Sequence, residues 1–494
     1  MNNKGQTTIL FSLCIGVLFL FTLTALEIGR IHMSKVKILP CVHSMRSSIM
    51  ADYNEELFER YHLLFLDPTY GTGSEAVLEE KIKDYLETSL NGEGSSLYQF
   101  ELVDIGLSNK ETVLSNDMKL LKKQIADYEL TAGIVNRAKE LTSKLNSDKE
   151  SLEEAFNKTE RNGVELNLSK DADEEKKQPE EQTTDKKTAK EKDPREVLKK
   201  SVKSGVLAYV APGMTVSKEK LNLKKLPSVK YIEMETQEWN NKFDDIGNLK
   251  QLLKTSAEVD EVNLLTQHAT FSDYVINHFS NAVKPLDDTV MQCEVEYILK
   301  GKDNDYDNLE AVINEMIWLR MPMNYAYLLT DLEKQSQALT LATTICVLTG
   351  TEPLAEIVKY LLLGCWAYGE SLHEMKLLLA GECIPYVKTN LNWYTDLETL
   401  TAVNSVERQT KGFSYEDYLM ILLAKKSGDS LNKGYARILD VVELNIQINN
   451  PTFQIEDCVG SINIQGKVTM NPFFQKSNND SVYDYYFDES ICYQ

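Results

Sequence analysis

The sequence lacks the usual marks of catalysis. Histidine is scarce, with six in 494 residues, and His373-Glu374 has Leu377 where a zinc-protease helix needs its second His. No GxSxG elbow and no GxxxxGK[ST] phosphate loop occurs, and Gly71 with Gly73 makes no dinucleotide fingerprint. The eight cysteines (Cys14, Cys41, Cys293, Cys346, Cys365, Cys383, Cys458, Cys492) form no CxxC pair and no Cys/His cluster with zinc spacing. Cys346 and Cys365 sit in apolar stretches where a thiol packs as a small hydrophobe, and a Cys458–Cys492 bond is left open. Positive charge is short too: 53 Lys and Arg against 75 Asp and Glu leave a net charge of -22. That balance argues against nucleic acid as a partner, because phosphate binding needs clustered cations, and against broad adsorption to anionic lipid. The alternating Asp303, Asp305 and Asp307 begin like a calcium loop, but the sixth position is Asn308 instead of Gly and the twelfth is Asn314 instead of Glu. Helix capping by Asp305 or Asp307 is the better reading. No cofactor, metal or catalytic residue is expected.

What is present begins with one uncharged run, Ile9 to Leu26. Twelve of its residues are strongly apolar: Ile9, Leu10, Phe11, Leu13, Ile15, Val17, Leu18, Phe19, Leu20, Phe21, Leu23 and Leu26. With Thr7 and Thr8 it makes about 20 residues, or roughly 30 Å of helix, which matches the hydrocarbon thickness of a bilayer. Insertion is favourable by roughly 5 kcal/mol before the Ser, Thr and Gly terms. A cleaved signal peptide would need a basic start and a small-x-small site; here Lys4 stands alone, and Leu23-Thr24-Ala25 has Leu where a small residue belongs. The expectation is therefore a retained single-pass anchor over 1–30 in a cell membrane, with the lipid bilayer as its partner. Counting Lys4 against Arg30, Lys35, Lys37 and Arg46 puts the large domain in the cytoplasm.

Beyond the run, Ile28, Ile31, Ile38, Val42, Met45, Ile49 and Tyr53 recur at steps near three and four with one longer gap. This predicts that the helix continues as an amphipathic rod, kinked or broken at Pro40. A rod of this kind is the shape of a pilin stalk; a juxtamembrane helix packed on its own domain would show the same stripe. Leu78, Ile82, Tyr85 and Leu86 mark a short helix ending before Gly92, and Tyr98 to Leu107 reads as a strand. These segments make a stalk and small α/β region over 31–110. Met118, Leu121, Ile125, Tyr128, Ala132 and Val135 form a heptad seam, read as a helical hairpin or short coiled coil over 111–156. Residues 157–193 are charged and nearly free of large apolar side chains, which predicts a disordered linker.

Residues 194–494 read as a helical C-terminal domain. The clear helices are Phe271–Phe279, Asn308–Leu329 (kinked or split at Pro322), Leu332–Gly350, Pro353–Ala380, Tyr415–Lys425 and Tyr435–Ile448. Gly350 suits a stop and Pro353 a first turn. The apolar parts of two of these helices are too short to span a membrane. The tail from Thr452 to Phe474 partly alternates and predicts a small antiparallel sheet, while NNDSVYDYYFDES is an edge strand, a loose end or a contact surface. The fold class is α+β, predominantly helical.

Three blocks carry a resemblance. KGQTTILFSL with the following apolar helix ending LEIGRI resembles the start of TadE/TadG-like pseudopilins of tight-adherence pilus systems. ADYNEELFERYHLLFLDPTYG and EVEYILKGKDNDYDNLEAVINEMIWLRMPMNYAYLLTD are similar to an uncharacterised surface-protein family of Clostridia-type Gram-positive bacteria associated with those systems. The resemblance implies prepilin-type processing at Gly5-Gln6, although Leu10 stands where pseudopilins carry a Glu. It also implies an extracellular large domain, and pilins or pilus and secretion assembly proteins as partners. The leading expectation is thus a membrane-anchored pseudopilin-like or accessory structural protein of a pilus or type II-like secretion apparatus, and not an enzyme. The alternatives are an envelope hydrolase with a noncontiguous site and a cytoplasm-facing membrane scaffold.

Overall fold

The computed structural model describes residues 3–92, 98, 100–131, 140, 143–144, 194, 205–232, 261–398, 400, 412–471 and 483–493. The chain divides into two compact units, one of 1–125 with 442–494 and one of 126–441. The expected charged linker lies outside the described residues. So does about half of the expected hairpin over 111–156, beyond residue 131.

The first unit begins with α1 (Asn3–Met50), continues through α2 (Glu55–Tyr61), α3 (Ala76–Leu90), strand β1 (Phe100–Thr112) and the start of α4 (Ser115–Thr131), and closes with strands β2 (Val459–Met470) and β3 (Tyr483–Cys492). At about 1.5 Å per residue, α1 is a rod of roughly 70 Å. Its two halves have different surroundings. The side chains from Ile9 to Leu26 stay largely exposed, whereas Ser34, Ile38, Val42, Met45 and Ile49 are buried. The longer gap in the sequence stripe is filled by Ser34, whose Oγ donates to the Ile31 carbonyl at 2.7 Å. Ile28, placed on that stripe from the sequence, is 57% exposed instead.

The expected break at Pro40 does not occur, because the helix is continuous from Asn3 to Met50. The missing Pro N–H leaves the Val36 carbonyl without its helical donor, but Val36 lies on the solvent face, where water can serve that carbonyl. Buried contacts on the opposite face hold the rod through the proline.

The sheet has the order β1-β2-β3 and is antiparallel throughout, with Leu102 opposite Val468 and Ile462 opposite Ile491. Its middle strand belongs to the tail. The strand expected near residue 100 and the tail sheet expected in the C-terminal domain are therefore one sheet, which lies in the first unit. Ile462, Ile464, Val468 and Met470 alternate along β2 and pack with the buried stripe of α1 and with Leu78, Ile82 and Leu86 of α3 in one core. Gly466 is required at its position, because the Phe487 ring lies where a Cβ would stand. The Tyr-rich ending is edge strand β3. In α4, Asn116, Asp117 and Met118 have φ of 52°, 58° and 56°, so the right-handed helix sets in after Met118, the first residue of the sequence seam.

The second unit is helical: α5 (Val206–Val210), α6 (Glu261–His278), α7 (Glu294–Lys300), α8 (Asp305–Thr330), α9 (Leu332–Thr349), α10 (Ala355–Leu379), α11 (Tyr415–Ala424) and α12 (Asp429–Ile446), the last reaching residue 446. Leu328, Ala338, Ala342, Leu362, Leu363 and Trp366 join α8, α9 and α10 in a core completed by Trp393 and Leu397. Gly350 ends α9 in the left-handed region, with Thr351 N–H donating to the Cys346 carbonyl at 2.9 Å, and Pro353 sits in the 3-10 turn before α10. Pro322 does not split α8; the carbonyl it orphans belongs to Trp318, which is 66% exposed.

Candidate functional site

The largest exposed apolar feature among the described residues is the first half of α1. Phe11, Leu18, Phe19 and Phe21 are 63–75% exposed, as no soluble core helix would be. The helix is long and apolar enough to cross a membrane, and none of its apolar window is buried. Thr22 and Thr24 turn their hydroxyls back onto the Phe19 and Leu20 carbonyls at 2.8 and 3.0 Å, which satisfies these two donors within the helix. Gly5 and Gln6 lie inside the first turns of α1.

The exposed run ends where polar anchoring begins. Arg30 pairs with Glu27 at 2.7 Å, and its Nη2 also donates to the Asn471 carbonyl just beyond β2 at 2.6 Å. From there on α1 belongs to the packed unit. Arg46 and His43 continue the same logic, each facing Glu489 of β3 at 3.8 and 3.4 Å.

A second constellation lies in the helical unit and went unrecognised in the sequence. Arg320 is wholly buried and forks onto Glu374, with Nε and Nη2 donating at 2.9 and 2.7 Å. Lys388 donates to Glu370 at 2.7 Å and reaches Glu374 at 2.9 Å. Glu370 also accepts from the Thr395 N–H at 3.0 Å and the Thr395 hydroxyl at 2.7 Å, and Arg320 donates to the Tyr386 carbonyl at 2.8 Å. Burial alone would raise the Glu374 carboxyl; the two cations override it and hold the group down at about 2. Two acids and two bases, all excluded from water, form a neutral lock that pins the segment after α10 onto α8 and α10. Its acid and base groups are spent on one another and on backbone, so it suits positioning better than proton transfer. Glu374 of the His373-Glu374 pair is thereby committed to Arg320 and Lys388.

Other buried carboxylates do similar structural work. Asp305 accepts from the Gln292 and Cys293 N–H groups at 3.0 and 3.3 Å. It is Asn304, not Asp305 or Asp307, that caps α8, accepting from the Asp307 N–H at 2.8 Å. The capping expectation is corrected by one residue. An amide accepts the helix N–H as well as a carboxylate does, which leaves Asp305 to hold the preceding loop. Glu296 accepts from Tyr415 Oη at 2.7 Å and from the Ala282 N–H at 3.1 Å, and burial pushes its carboxyl up to about 7.

Among the described residues no three His, Cys, Asp or Glu side chains converge as a metal site, and no cysteine is in a disulfide. One shallow cleft of about 320 Å³ is lined by Asp52, Glu55, Glu56, Asp67 and Asn450. Asp67 is committed there to a local turn through the Thr69 and Gly71 N–H groups, and Asp52 to Lys81 and Tyr70. The signals for Arg320, Glu370 and Glu374 were in the sequence: a lone Arg in the apolar stretch IWLRMPM, and acids four apart on an apolar helix.

Comparison with known proteins gives one result. The family described as a family of unknown function (DUF5702) matches residues 184–470. No curated protein and no solved structure matches the chain.

Proposed function

This chain belongs to the DUF5702 family, whose function is unknown, and from that premise we propose that it is a membrane-anchored, pseudopilin-like or accessory structural protein. The proposed setting is a tight-adherence pilus or type II-like secretion apparatus at the bacterial cell surface. The proposed partners are pilins or assembly proteins, and no catalytic step is assigned.

The observation that carries the reading is the division of α1. Its first half exposes an uncharged apolar cylinder, and its second half lies on an antiparallel sheet beside α3. A pilin uses its long helix in the same two ways, with one half for the lipid or filament core and the other for the globular head. In lipid the free half associates with other apolar helices through packing, since no water is left to drive it. The resemblance of KGQTTILFSL to pseudopilin starts adds a processing site at Gly5-Gln6. The neutral lock around Arg320 and Glu374 supports a structural role over an enzymatic one, because its polar groups are already satisfied by protein.

Orientation is where the second reading has its own observation. Arg30, Lys35, Lys37 and Arg46 follow the run against Lys4 before it, which favours a cytoplasm-facing scaffold. One experiment separates these readings. The chain is expressed in its native cell type, membranes are isolated, the N-terminus is sequenced, and intact cells are treated with protease. A start at Gln6 with loss of the large domain supports the pseudopilin reading. An intact Met1 with full protection supports the scaffold, and a product left in the supernatant after high-speed sedimentation defeats both.

A further inference from the structure

The α9–α10 hairpin carries an apolar face that its own unit leaves uncovered. From Gln335 to Thr351 the chain has no charge, in a protein whose net charge is -22. Ala338, Ala342 and Cys346 turn the inner stripe of α9 into the core. On the outer stripe Val347 and Leu348 are 55% and 48% exposed. Across the short Gly350–Leu354 connection, Leu354, Ile357, Tyr360 and Leu361 of the first turns of α10 and the turn before it are 44–60% exposed. These six side chains flank one tip, so they form a single patch.

The threonines on the outer face of α9 extend the patch. Thr340, Thr343 and Thr344 donate their hydroxyls to the Ser336, Leu339 and Thr340 carbonyls at 2.9, 2.8 and 2.9 Å. With the hydroxyls bonded into the helix, each threonine offers its methyl group outward. A face built this way suits a dry contact.

We propose that this face pairs with the same face of a second copy of the chain, forming a two-fold four-helix interface between two hairpins. Three features favour a second copy over other occupants. Half-exposed large apolar side chains contribute about 100 Å² each, so the six with the threonine methyls approach the roughly 800 Å² per partner of a standard interface. The outer face of α9 is uncharged from Gln335 to Thr351, so two copies can meet along it without like-charge contact. Glu352 and Glu356 stand at the tip, and Glu356 pairs with Lys359 at 2.7 Å. A lipid-inserting tip would bury those acids, whereas membrane-surface helices carry Lys and Arg at their polar margin. The inference is independent of the pilus reading, because it concerns a face of the helical unit and not α1.

The test is the mass of the full-length chain in density-matched detergent, by sedimentation equilibrium over a range of protein concentration. The wild type is compared with Ile357→Glu/Leu361→Glu and with Thr344→Arg. All the substituted side chains are solvent-facing, and circular dichroism checks that each variant keeps its helix content. A dimer is expected, with a dissociation constant that rises at least about 30-fold in each folded variant. Added salt should strengthen the wild-type dimer by screening the acidic surroundings. A wild type that stays monomeric overturns the proposal, as does a dimer indifferent to both Thr344→Arg and the double variant, which would place association in α1.

Discussion

At the scale of single residues, Glu296 shows how burial sets the chemistry of a group. Its Oε1 accepts two hydrogen bonds, yet full burial, with the charge of Asp305 adding to it, carries its carboxyl up to about 7. The folded state therefore binds a proton that the unfolded chain, at an ordinary 4.5, has already lost. The stability that this group contributes is full below pH 4.5 and disappears as pH rises through 7. Glu296→Gln keeps the acceptor and removes the charge. We expect it to stabilise the fold at pH 8 by up to about 3 kcal/mol, read as a higher melting temperature, and to change little at pH 5. Equal shifts at both values would mean that the carboxyl is not the cause. Glu374 is the opposite case, since Arg320 and Lys388 hold it low and its contribution disappears only as pH falls from 4.5 toward 2. Sequence reading could not separate the two. Glu374 and Arg320 are 54 positions apart, and nothing local says which buried acid receives a cation.

At the scale of elements, periodicity gave most helices within a few residues, because an amphipathic stripe and a Gly350 stop are local properties. At both prolines the expected break does not occur. Pro40 and Pro322 both sit on exposed faces of unbroken helices, where the carbonyl each leaves without a donor can turn to water. The penalty is thus partial, and the packed face opposite outweighs it. Pro40→Ala restores one backbone hydrogen bond in α1. We expect stabilisation of the first unit by about 1–3 kcal/mol, read as a higher urea midpoint with an unchanged slope. A lower midpoint would show that the rod needs a bend there. The strands were legible one at a time, but not as partners: alternation marks which residues face a core and carries no address for a partner more than 300 positions away.

At the scale of the whole molecule, the first unit is held together by its two ends. β2 lies between β1 and β3, so the tail supplies the middle of the sheet and most of its inward side chains. Removing residues 459–494 should leave Ile38, Val42, Met45 and the inner face of α3 without cover. We expect the truncated chain to lose protease resistance across residues 27–125, while fragments of the helical unit persist in limited digestion. Survival of both units would mean that α1, α3 and β1 suffice alone.

That arrangement also sets an order of events during synthesis. β1 emerges from the ribosome about 350 residues before β2, an interval of roughly 20 to 70 seconds at ordinary elongation rates. Throughout it the greasy leading helix can enter a bilayer, but its inner stripe has no strand to lie on. A newborn chain of this design needs a guardian for α1, α3 and β1 until β2 has been made. Stalled or prematurely ended translation products should then be among the first that quality-control proteases remove.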